Sequence, residues 1–416
     1  MMENKIMRTA YLCILLLATQ LAFSRSIVVG NGEKVTSLKE AISLASPYDT
    51  IFLKAGVYKE GAMTITKPLT IIGMNNPVLE GENKYEIFTI SGKHIKVKGI
   101  HFKNSGYSAL NDFASVKVVD SYDVTLEENA VFNSYFAFHV SNSVHMVIKN
   151  NKIAGIPGSE QLTGNGIHLW KSSRAYIVGN VITGHRDGIY FEFVTHSVIS
   201  NNLSEGNVRY GLHFMFSNDD HYIGNTFRSN GAGVAVMYSK KVKMELNHFE
   251  DNWGASSYGI LLKDISDSDV HNNIFHKNTV GIFMEGTNRI MVHHNTFLEN
   301  GWAMKVQASC NENEFFLNNY FGNSFDVGTN GSLVLNKFYR NYWDKYEGYD
   351  INKDGIGDVP FHPVSMYSMI VEQNPNALIL LRSFTISLID KAEKAIPSLT
   401  PENLFDDSPL MKALTL

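Results

Sequence analysis

Short runs in which apolar residues alternate with other residues recur along the middle of the chain. Each run opens with a glycine followed by an apolar residue, and successive pairs lie 22 to 26 residues apart: Gly166-Ile167, Gly188-Ile189, Gly211-Leu212, Gly233-Val234, Gly259-Ile260 and Gly281-Ile282. Period-two alternation indicates β-strands, and the Asn, Gly, Ser and Asp residues between the runs indicate turns. A fixed period of short strands predicts a repeat architecture.

A second landmark with the same period is an asparagine followed two residues later by an apolar residue. It occurs at Asn129/Val131, Asn151/Ile153, Asn180/Ile182, Asn201/Leu203, Asn225/Phe227, Asn247/Phe249, Asn273/Phe275, Asn295/Phe297, Asn319/Phe321 and Asn336/Phe338. A repeat of about 22 residues is too short to bury a face alone, so neighbouring repeats must stack. We therefore predict an all-β fold, a right-handed parallel β-helix, in which inward-pointing asparagines form hydrogen-bonded ladders at the turns.

The two ends of the array have different patterns. Residues 25–60 are predicted to form an N-terminal cap and the first rung, with a short helix from Ser37 to Ala45 covering the open end. The parallel β-helix follows at 61–345, a polar loop at 346–372, and a helical tail at 373–416. The tail helix is expected to start at Asn374-Pro375. Its apolar face either packs across the last rung or docks on a partner, and consists of Leu378, Leu381, Thr385, Leu388, Ala392 and Ala395.

Residues 1–24 have the pattern of a secretory signal peptide. Lys5 and Arg8 precede a short apolar run, and Ala22-Phe23-Ser24 places small residues at the cleavage-determining positions. Export of the chain would leave Cys310 as its one cysteine, which we expect to be a small buried side chain. The formal net charge is −5 and no long basic run occurs, so a nucleic-acid partner is not expected.

The alternation also predicts which side chains point outward on each rung. They form stacked pairs: His168 and Trp170, Tyr190 and Glu192, His213 and Met215, Ala235 and Met237, Leu261 and Lys263, Phe283 and Glu285. His213, Met215 and Met237 would lie together on two neighbouring rungs. Imidazole and thioether groups are ligands that soft Cu(I) prefers, so these three residues are a candidate copper(I) site. The alternative is a pair of methionines that fills a gap under a loop or contacts a partner protein.

The polar loop contains a second candidate metal site. Asp350, Asn352, Asp354 and Asp358 have the spacing of the first ligands of a calcium loop, with Gly355 at the position of the sharp turn. The acidic residue expected at the twelfth position is replaced by Phe361. If calcium binds here, its role would be structural rather than catalytic. The alternative is a Gly/Asp-rich turn that binds no metal.

A β-helix is also a common scaffold for enzymes that cut or epimerise acidic polysaccharides. Two polar clusters could serve such chemistry: Asp219-Asp220-His221 and His185-Arg186-Asp187. Neither supplies the stacked acidic and basic array that such a groove requires. Scattered histidines such as His94, His101 and His271 are expected at the surface or in turns.

Several segments resemble the NosD family of periplasmic accessory proteins for the maturation of nitrous oxide reductase. They are Tyr210-Gly-Leu-His-Phe-Met-Phe-Ser-Asn218, Gly231-Ala-Gly-Val-Ala-Val-Met-Tyr-Ser239, Leu380-Leu-Arg-Ser383 and Asp407-Ser-Pro-Leu-Met411. The first two contain His213, Met215 and Met237.

The resemblance implies a non-enzymatic role in denitrification, in which the protein binds or guides Cu(I) in the periplasm. It also implies partners: the permease and ATPase subunits of an inner-membrane ABC transporter, a copper-donor lipoprotein and nitrous oxide reductase. The helical tail would dock on the permease and attach the protein peripherally to the membrane. A carbohydrate-active lyase or epimerase and a metal-free structural adaptor are the alternatives.

Overall fold

The computed structural model describes residues 25–107, 112–331, 333, 335–396 and 404–416. The predicted signal peptide, residues 1–24, lies outside the described residues. The chain winds into a right-handed parallel β-helix, as the repeats predict, and each full turn contributes one strand to each of three sheets. All pairings between strands are parallel, and the described part of the chain forms sheets of 14, 13 and 12 strands.

The 14-stranded sheet A consists of Ser26–Val29, Thr50–Leu53, Thr70–Gly73, Lys93–Lys98, Tyr122–Glu127, Val144–Lys149, Tyr176–Val178, Val198–Ser200, His221–Ile223, Lys243–Glu245, Asp269–His271, Met291–His293, Glu314–Phe316 and Lys337–Tyr339. The 13-stranded sheet B consists of Val57–Tyr58, Val78–Glu80, His101–Lys103, Ala130–Phe132, Lys152–Ala154, Val181–Thr183, Leu203–Glu205, Thr226–Arg228, His248–Glu250, Ile274–His276, Thr296–Leu298, Asn319–Phe321 and Tyr342–Trp343. The 12-stranded sheet C consists of Met63–Ile65, Phe88–Ile90, Ala114–Val119, Phe136–Ser141, Ile167–Trp170, Asp187–Glu192, Tyr210–Met215, Ala232–Met237, Tyr258–Lys263, Val280–Glu285, Trp302–Val306 and Phe325–Gly328.

The interior is filled by side chains that repeat from turn to turn. Under sheet B, buried aromatic rings stack with their centroids 4.0 to 5.5 Å apart, in the order Phe227, Phe249, Phe275, Phe297, Tyr320 and Trp343. Each fully buried ring of this kind contributes roughly 1.5–3 kcal/mol of hydrophobic free energy. The repeat in the sequence is therefore the repeat of this continuous core.

An asparagine ladder runs along the turn between sheets A and B. On each turn the Oδ1 atom of one asparagine accepts hydrogen bonds from the backbone N–H and the Nδ2 of the preceding one, at 2.9 to 3.2 Å. Its members are buried, so every amide is satisfied without water. They are Asn129, Asn151, Asn180, Asn202, Asn225, Asn247, Asn273, Asn295, Asn318 and Asn341.

Two of the predicted ladder positions, Asn201 and Asn319, are wrong. The ladder uses Asn202 and Asn318 in place of their neighbours, because Asn201 takes the left-handed conformation with φ of 53° and Asn319 bonds to the backbone of Leu414. Where two asparagines are adjacent, spacing alone does not show which one points inward. Asn336 belongs to a separate ladder that precedes sheet A.

The N-terminal end of the β-helix is covered by helix α1, Leu38–Leu44. Ser37 caps it by accepting a hydrogen bond from the Glu40 N–H, and the helix buries Leu38, Ala41 and Ile42. This is the face that the sequence indicates for the cap. The C-terminal region differs from the single helix that we expected after Asn374. It contains helix α2, Met366–Gln373, a 3₁₀ helix, Pro375–Leu380, and helix α3, Phe384–Ala395.

The predicted tail helix is interrupted at Arg382, which has a positive φ of 66°. Ser383 then starts α3, and its side chain accepts a hydrogen bond from the Ile386 N–H. Ile386 is buried together with Tyr367 and Val371 of α2, whereas Leu388 of the expected apolar face is exposed. Packing against α2 therefore sets the orientation of α3, and periodicity in the tail alone does not reveal it.

The last described segment, 404–416, closes the C-terminal end of the array. The buried carboxylate of Asp406 accepts hydrogen bonds from the backbone and side chain of Asn341 and from the Trp343 indole N–H, at 2.9 to 3.0 Å. Burial raises the pKa of Asp406, although these donors oppose the rise. Asp406 thus occupies the place of the next asparagine in the ladder, so part of the predicted docking tail is an end cap.

Asp220 is an acidic residue at a ladder position, on the turn before sheet A. Its Oδ1 accepts a hydrogen bond from the Ser197 N–H at 2.8 Å, while its buried Oδ2 has no hydrogen-bond partner. Burial, with a smaller contribution from Asp219, raises the pKa of Asp220 to about 8. Asn313 and Asn336 hold the equivalent place on later turns and donate through Nδ2 to a backbone carbonyl.

We expect Asp220→Asn to stabilise the protein at pH 8 by on the order of 1–3 kcal/mol, because it removes a buried unpaired oxygen and adds a donor. Asp220 keeps its proton in the folded state up to pH about 8 and loses it in the unfolded state above about 4. Its contribution to stability therefore falls as the pH rises through this window. Thermal unfolding at pH 5 and pH 8 should show a weaker pH dependence in the variant. Asp219→Asn, at an exposed neighbour, is the control, and an equal effect there would contradict the assignment.

Candidate functional site

The predicted outward side chains form two rows on the outer face of sheet C. The strand register stacks His139, His168, Tyr190, His213, Ala235, Leu261 and Phe283 in one row. The second row contains Trp170, Glu192, Met215, Met237, Lys263 and Glu285. Neighbouring members of a row are about 4.8 Å apart, the spacing of hydrogen-bonded strands. The register therefore brings His213, Met215 and Met237 to one place.

We expected the outward residues to face solvent, but His213 is buried. The residue is 3% exposed, and its ring lies between those of Tyr190 and Tyr210, at centroid distances of 4.9 and 4.8 Å. Neither ring nitrogen has a hydrogen-bond partner among the described residues, and Nδ1 lies 3.8 Å from Oδ2 of the fully buried Asp187. A buried imidazole with two unpaired nitrogens is costly unless a further group binds one of them.

Met215 lies beside His213 and is partly buried. Its sulfur is 3.5 Å from the Tyr190 hydroxyl, which also lies 3.3 Å from the Glu192 carboxylate. Burial and the Glu192 charge raise the pKa of Tyr190 to about 12, so the hydroxyl stays protonated and can donate to either acceptor. Met237 is the register partner of Met215 on the next rung and is also partly buried.

Two further histidines continue the His213 row, and sequence reasoning did not include them in the site. The ring centroids of His139 and His168 are 4.7 Å apart, and His168 is 4.7 Å from Tyr190. Burial lowers the pKa of His139 to about 4 and, with the charges of His139 and Arg186, holds that of His168 well below its usual value. Both imidazoles are neutral at pH 7, the form that binds metals. The sequence signal for including them was the recurrence of histidine at the same position of the repeat.

The residues of this site fit a soft monovalent metal ion. Two thioethers and an imidazole offer soft and borderline donors, which suit Cu(I) better than a hard divalent ion. The unpaired nitrogens of His213 supply a ligand atom already withdrawn from water. Asp187 and Glu192 provide negative charge nearby without replacing the sulfur donors.

The candidate calcium residues lie in an exposed loop that is folded on its own carboxylates. Asp350 accepts hydrogen bonds from the backbone N–H groups of Lys353, Asp354 and Gly355, at 2.6 to 3.2 Å. The side chains of Asn352 and Asp354 are 3.1 Å apart, and Asp358 accepts from the Ile351 N–H. Phe361, at the place of the missing acidic ligand, packs on Trp343. Within the loop the side chains of Asn352 and Asp354 are in contact, while Asp350 and Asp358 bond backbone N–H groups, and calcium binding stays a prediction.

The two polar clusters considered for carbohydrate chemistry lie on different surfaces. Asp187 is on sheet C, while His221 is on the outer face of sheet A and pairs with Glu245 at 2.9 Å. His185 is fully buried and contacts the Gly164 carbonyl. These groups do not line a shared groove. Cys310 is a free, buried cysteine in the hydrophobic core, as expected.

The tail helices pack on the same face of sheet C as the candidate copper site. Tyr367, Val371 and Ile386 bury the outward side chains Val280, Trp302 and Phe325, and Lys305 pairs with Glu372 at 2.6 Å. Met237 lies three strand spacings, about 14 Å, from the strand that contains Trp302. Ile379 and Phe384, 88% and 83% exposed, present apolar side chains to the outside.

Among the described residues no helix has the length and apolar character needed to span a membrane.

Comparisons with known proteins agree with this fold and with the resemblance. The family model described as "Periplasmic copper-binding protein (NosD)" matches residues 155–354, and the model for a right-handed β-helix region matches residues 85–222. Two curated relatives named "Probable ABC transporter binding protein NosD", from Stutzerimonas stutzeri and Pseudomonas aeruginosa, are each 26% identical over 383 residues. The alignments cover 87% and 86% of this chain and 87% of each relative.

Solved structures are similar at the level of the fold. The A-module of the Azotobacter vinelandii mannuronan C-5 epimerase AlgE6 has a TM-score of 0.60 at 13% identity, over 73% of this chain and 92% of that one. PfbA, a surface adhesin of Streptococcus pneumoniae, has a TM-score of 0.59 at 12% identity, over 70% and 89%. An enzyme and an adhesin share this scaffold, so the scaffold alone does not decide the function. The family match and the two relatives do distinguish among β-helix proteins: the chain is similar to the NosD family and is consistent with a NosD-family parallel β-helix protein.

Proposed function

We propose that this protein is a periplasmic accessory protein that binds Cu(I) at His213, Met215 and Met237 and guides it during maturation of nitrous oxide reductase. The observation that supports the proposal most is the buried His213 imidazole, which lies beside Met215 and has no hydrogen-bond partner in the part of the chain that the structure describes. The description of the matching family as copper-binding points to the same ligand. No catalytic step is part of the proposal.

The row of neutral imidazoles suggests how the ion could move along sheet C. His168 and His139 continue the row away from Met237 at one strand spacing per step, and Tyr190 lies between His168 and His213. A chain of weak donors lets an ion exchange between neighbours more easily than one closed, charged site. In this proposal His213, Met215 and Met237 form the principal site.

Copper(I) titration against a competing chelator under reducing conditions tests the site. We expect the parent protein to bind Cu(I). The substitution His213→Phe keeps the ring packing and should weaken Cu(I) binding by about tenfold or more, which corresponds to at least about 1.4 kcal/mol. Met215→Leu and Met237→Leu preserve side-chain volume and should each weaken it as well. The triple variant should lose the bound equivalent.

Met291→Leu is the matched control, because Met291 is an exposed methionine on sheet A. It should bind Cu(I) as the parent does. If the folded triple variant still binds Cu(I) stoichiometrically, the ion is held elsewhere and the proposed site is wrong.

We further propose that the tail docks on the permease of an ABC transporter whose ATPase drives the cycle. The protein would then be attached peripherally to the inner membrane, with a copper-donor lipoprotein and nitrous oxide reductase as partners. The names of the two relatives suggest association with an ABC transporter. The exposed Ile379 and Phe384 give the tail an apolar contact surface, and the tail helices pack on a strand of sheet C that lies about 14 Å from Met237.

The double variant Ile379→Glu/Phe384→Glu should abolish co-purification with the co-expressed permease and ATPase, because charges would have to be buried in the contact. Deleting the tail is a poorer test, since it also removes the Asp406 cap. Leu246→Glu, at an exposed leucine after sheet A, is the control and should leave the complex intact. A complex that forms normally with the double variant would contradict the docking role.

For the polar loop we propose a structural calcium site formed by Asp350, Asn352, Asp354 and Asp358. Calcium should raise the unfolding temperature of the parent protein, as any ligand that binds only the folded state does. Asp350→Asn/Asp354→Asn should remove the increase, whereas Asp344→Asn, outside the loop, should keep it. An equal increase in the parent and the double variant would contradict the site.

A further inference from the structure

A cluster of histidine and carboxylate side chains lies on the outer face of sheet A, away from the candidate copper site. His271 and His293 are register partners on adjacent strands, and their rings stack with centroids 5.0 Å apart. Asp269 precedes His271 by two residues on the same strand and the same face. We had expected His271 to be a scattered surface histidine. The signal in the sequence is His271 and His293 at one repeat spacing, which places them one above the other.

The three side chains direct one ligand atom each toward a common point. Oδ1 of Asp269 lies 3.2 Å from Nδ1 of His271 and 3.1 Å from Nε2 of His293, and all three atoms lie within 4.8 Å of one another. Metal–ligand bonds of 2.0–2.1 Å in tetrahedral geometry separate neighbouring ligand atoms by about 3.3–3.4 Å. The two distances from Asp269 are close to this value, and the separation of the two imidazole nitrogens is within 4.8 Å.

The outer nitrogen of His271 is already held by a carboxylate. Its Nε2 lies 2.7 Å from Oε2 of Glu245, which also pairs with Lys243 and His221 at 2.9 Å. A carboxylate can only accept, so the contact with Glu245 places the proton of a neutral imidazole on Nε2 and turns the Nδ1 lone pair toward Asp269.

His293 is arranged in the same way. Its Nδ1 lies 2.8 Å from Nδ1 of His294, so one of these two nitrogens donates to the other. When Nδ1 of His293 is the donor in this hydrogen bond, its Nε2 lone pair also faces Asp269. Metal-binding histidines in proteins are commonly oriented by such a hydrogen bond from the other ring nitrogen.

Two of the three converging atoms have no hydrogen-bond partner among the described residues. Oδ1 of Asp269 and Nδ1 of His271 are inaccessible to solvent and make no well-oriented hydrogen bond, although their separation is only 3.2 Å. A carboxylate oxygen and an imidazole lone pair that face each other at this distance repel, and a cation bound between the two atoms removes the repulsion.

We propose that Asp269, His271 and His293 bind one divalent transition-metal ion of the Zn²⁺ class, Cu²⁺ included. Two imidazole nitrogens and one carboxylate oxygen are borderline to hard donors, unlike the sulfur donors of the Cu(I) candidate on sheet C. Side chains that remain 12 to 27% exposed leave the fourth position open to water or to an incoming ligand. Glu245 and His294 position the two imidazoles.

Zn²⁺ binding to the full chain, measured by competition with a chromophoric chelator and by calorimetry, tests this site. We expect one Zn²⁺ per chain and a loss of at least tenfold in affinity for His271→Gln and for His293→Gln. Glu245→Gln should weaken binding by about 10- to 100-fold by freeing the His271 ring. Circular dichroism and the unfolding temperature establish that each variant is folded.

Two controls keep this test separate from the copper proposal. His276→Gln removes an outward histidine of sheet B that pairs with Glu250, and it should bind Zn²⁺ as the parent does. Met215→Leu should lose Cu(I) affinity and keep Zn²⁺ affinity. The inference is overturned if the parent binds no Zn²⁺ at micromolar concentration, or if folded His271→Gln and His293→Gln proteins bind it as tightly as the parent.

Discussion

The hydrogen-bonded stacking of one turn on the next is the constraint from which the rest of this structure follows. Every parallel pairing sets neighbouring strands about 4.8 Å apart, and the buried asparagine ladder holds the turns in register because each amide is satisfied only by its neighbours. The array must therefore be closed at its ends. Helix α1 covers the first turn, and the Asp406 carboxylate accepts the last hydrogen bonds of the ladder.

The same stacking converts repeats in sequence into rows of side chains on each face. On sheet C it sets Met215 beside Met237 and His213 beside Tyr190, so a soft donor set arises from two adjacent rungs. On sheet A it sets His271 on His293, next to a carboxylate. One scaffold thus presents chemically different sets of candidate metal ligands on different faces, while its interior stays a continuous apolar core.

The fold and the rows could be predicted because both follow from a local period. Contacts between distant parts of the chain could not: Asp406 reaches Asn341 across 65 residues, and helix α3 takes its orientation from α2. Period-two alternation placed His213 outward but did not show that Tyr190 and Tyr210 enclose it. The Asp269–His271–His293 cluster was missed because only the register on sheet A makes His271 and His293 neighbours.

The central claim is that Cu(I) is held by sulfur and imidazole donors on the outer face of sheet C. X-ray absorption spectroscopy at the copper edge of the Cu(I)-loaded protein tests it most directly, because it reports the atoms bound to the metal. The account predicts sulfur scattering from two thioethers together with one imidazole nitrogen, with the sulfur contribution reduced when Met215 or Met237 is replaced by leucine. A copper ion surrounded by nitrogen and oxygen alone would contradict it.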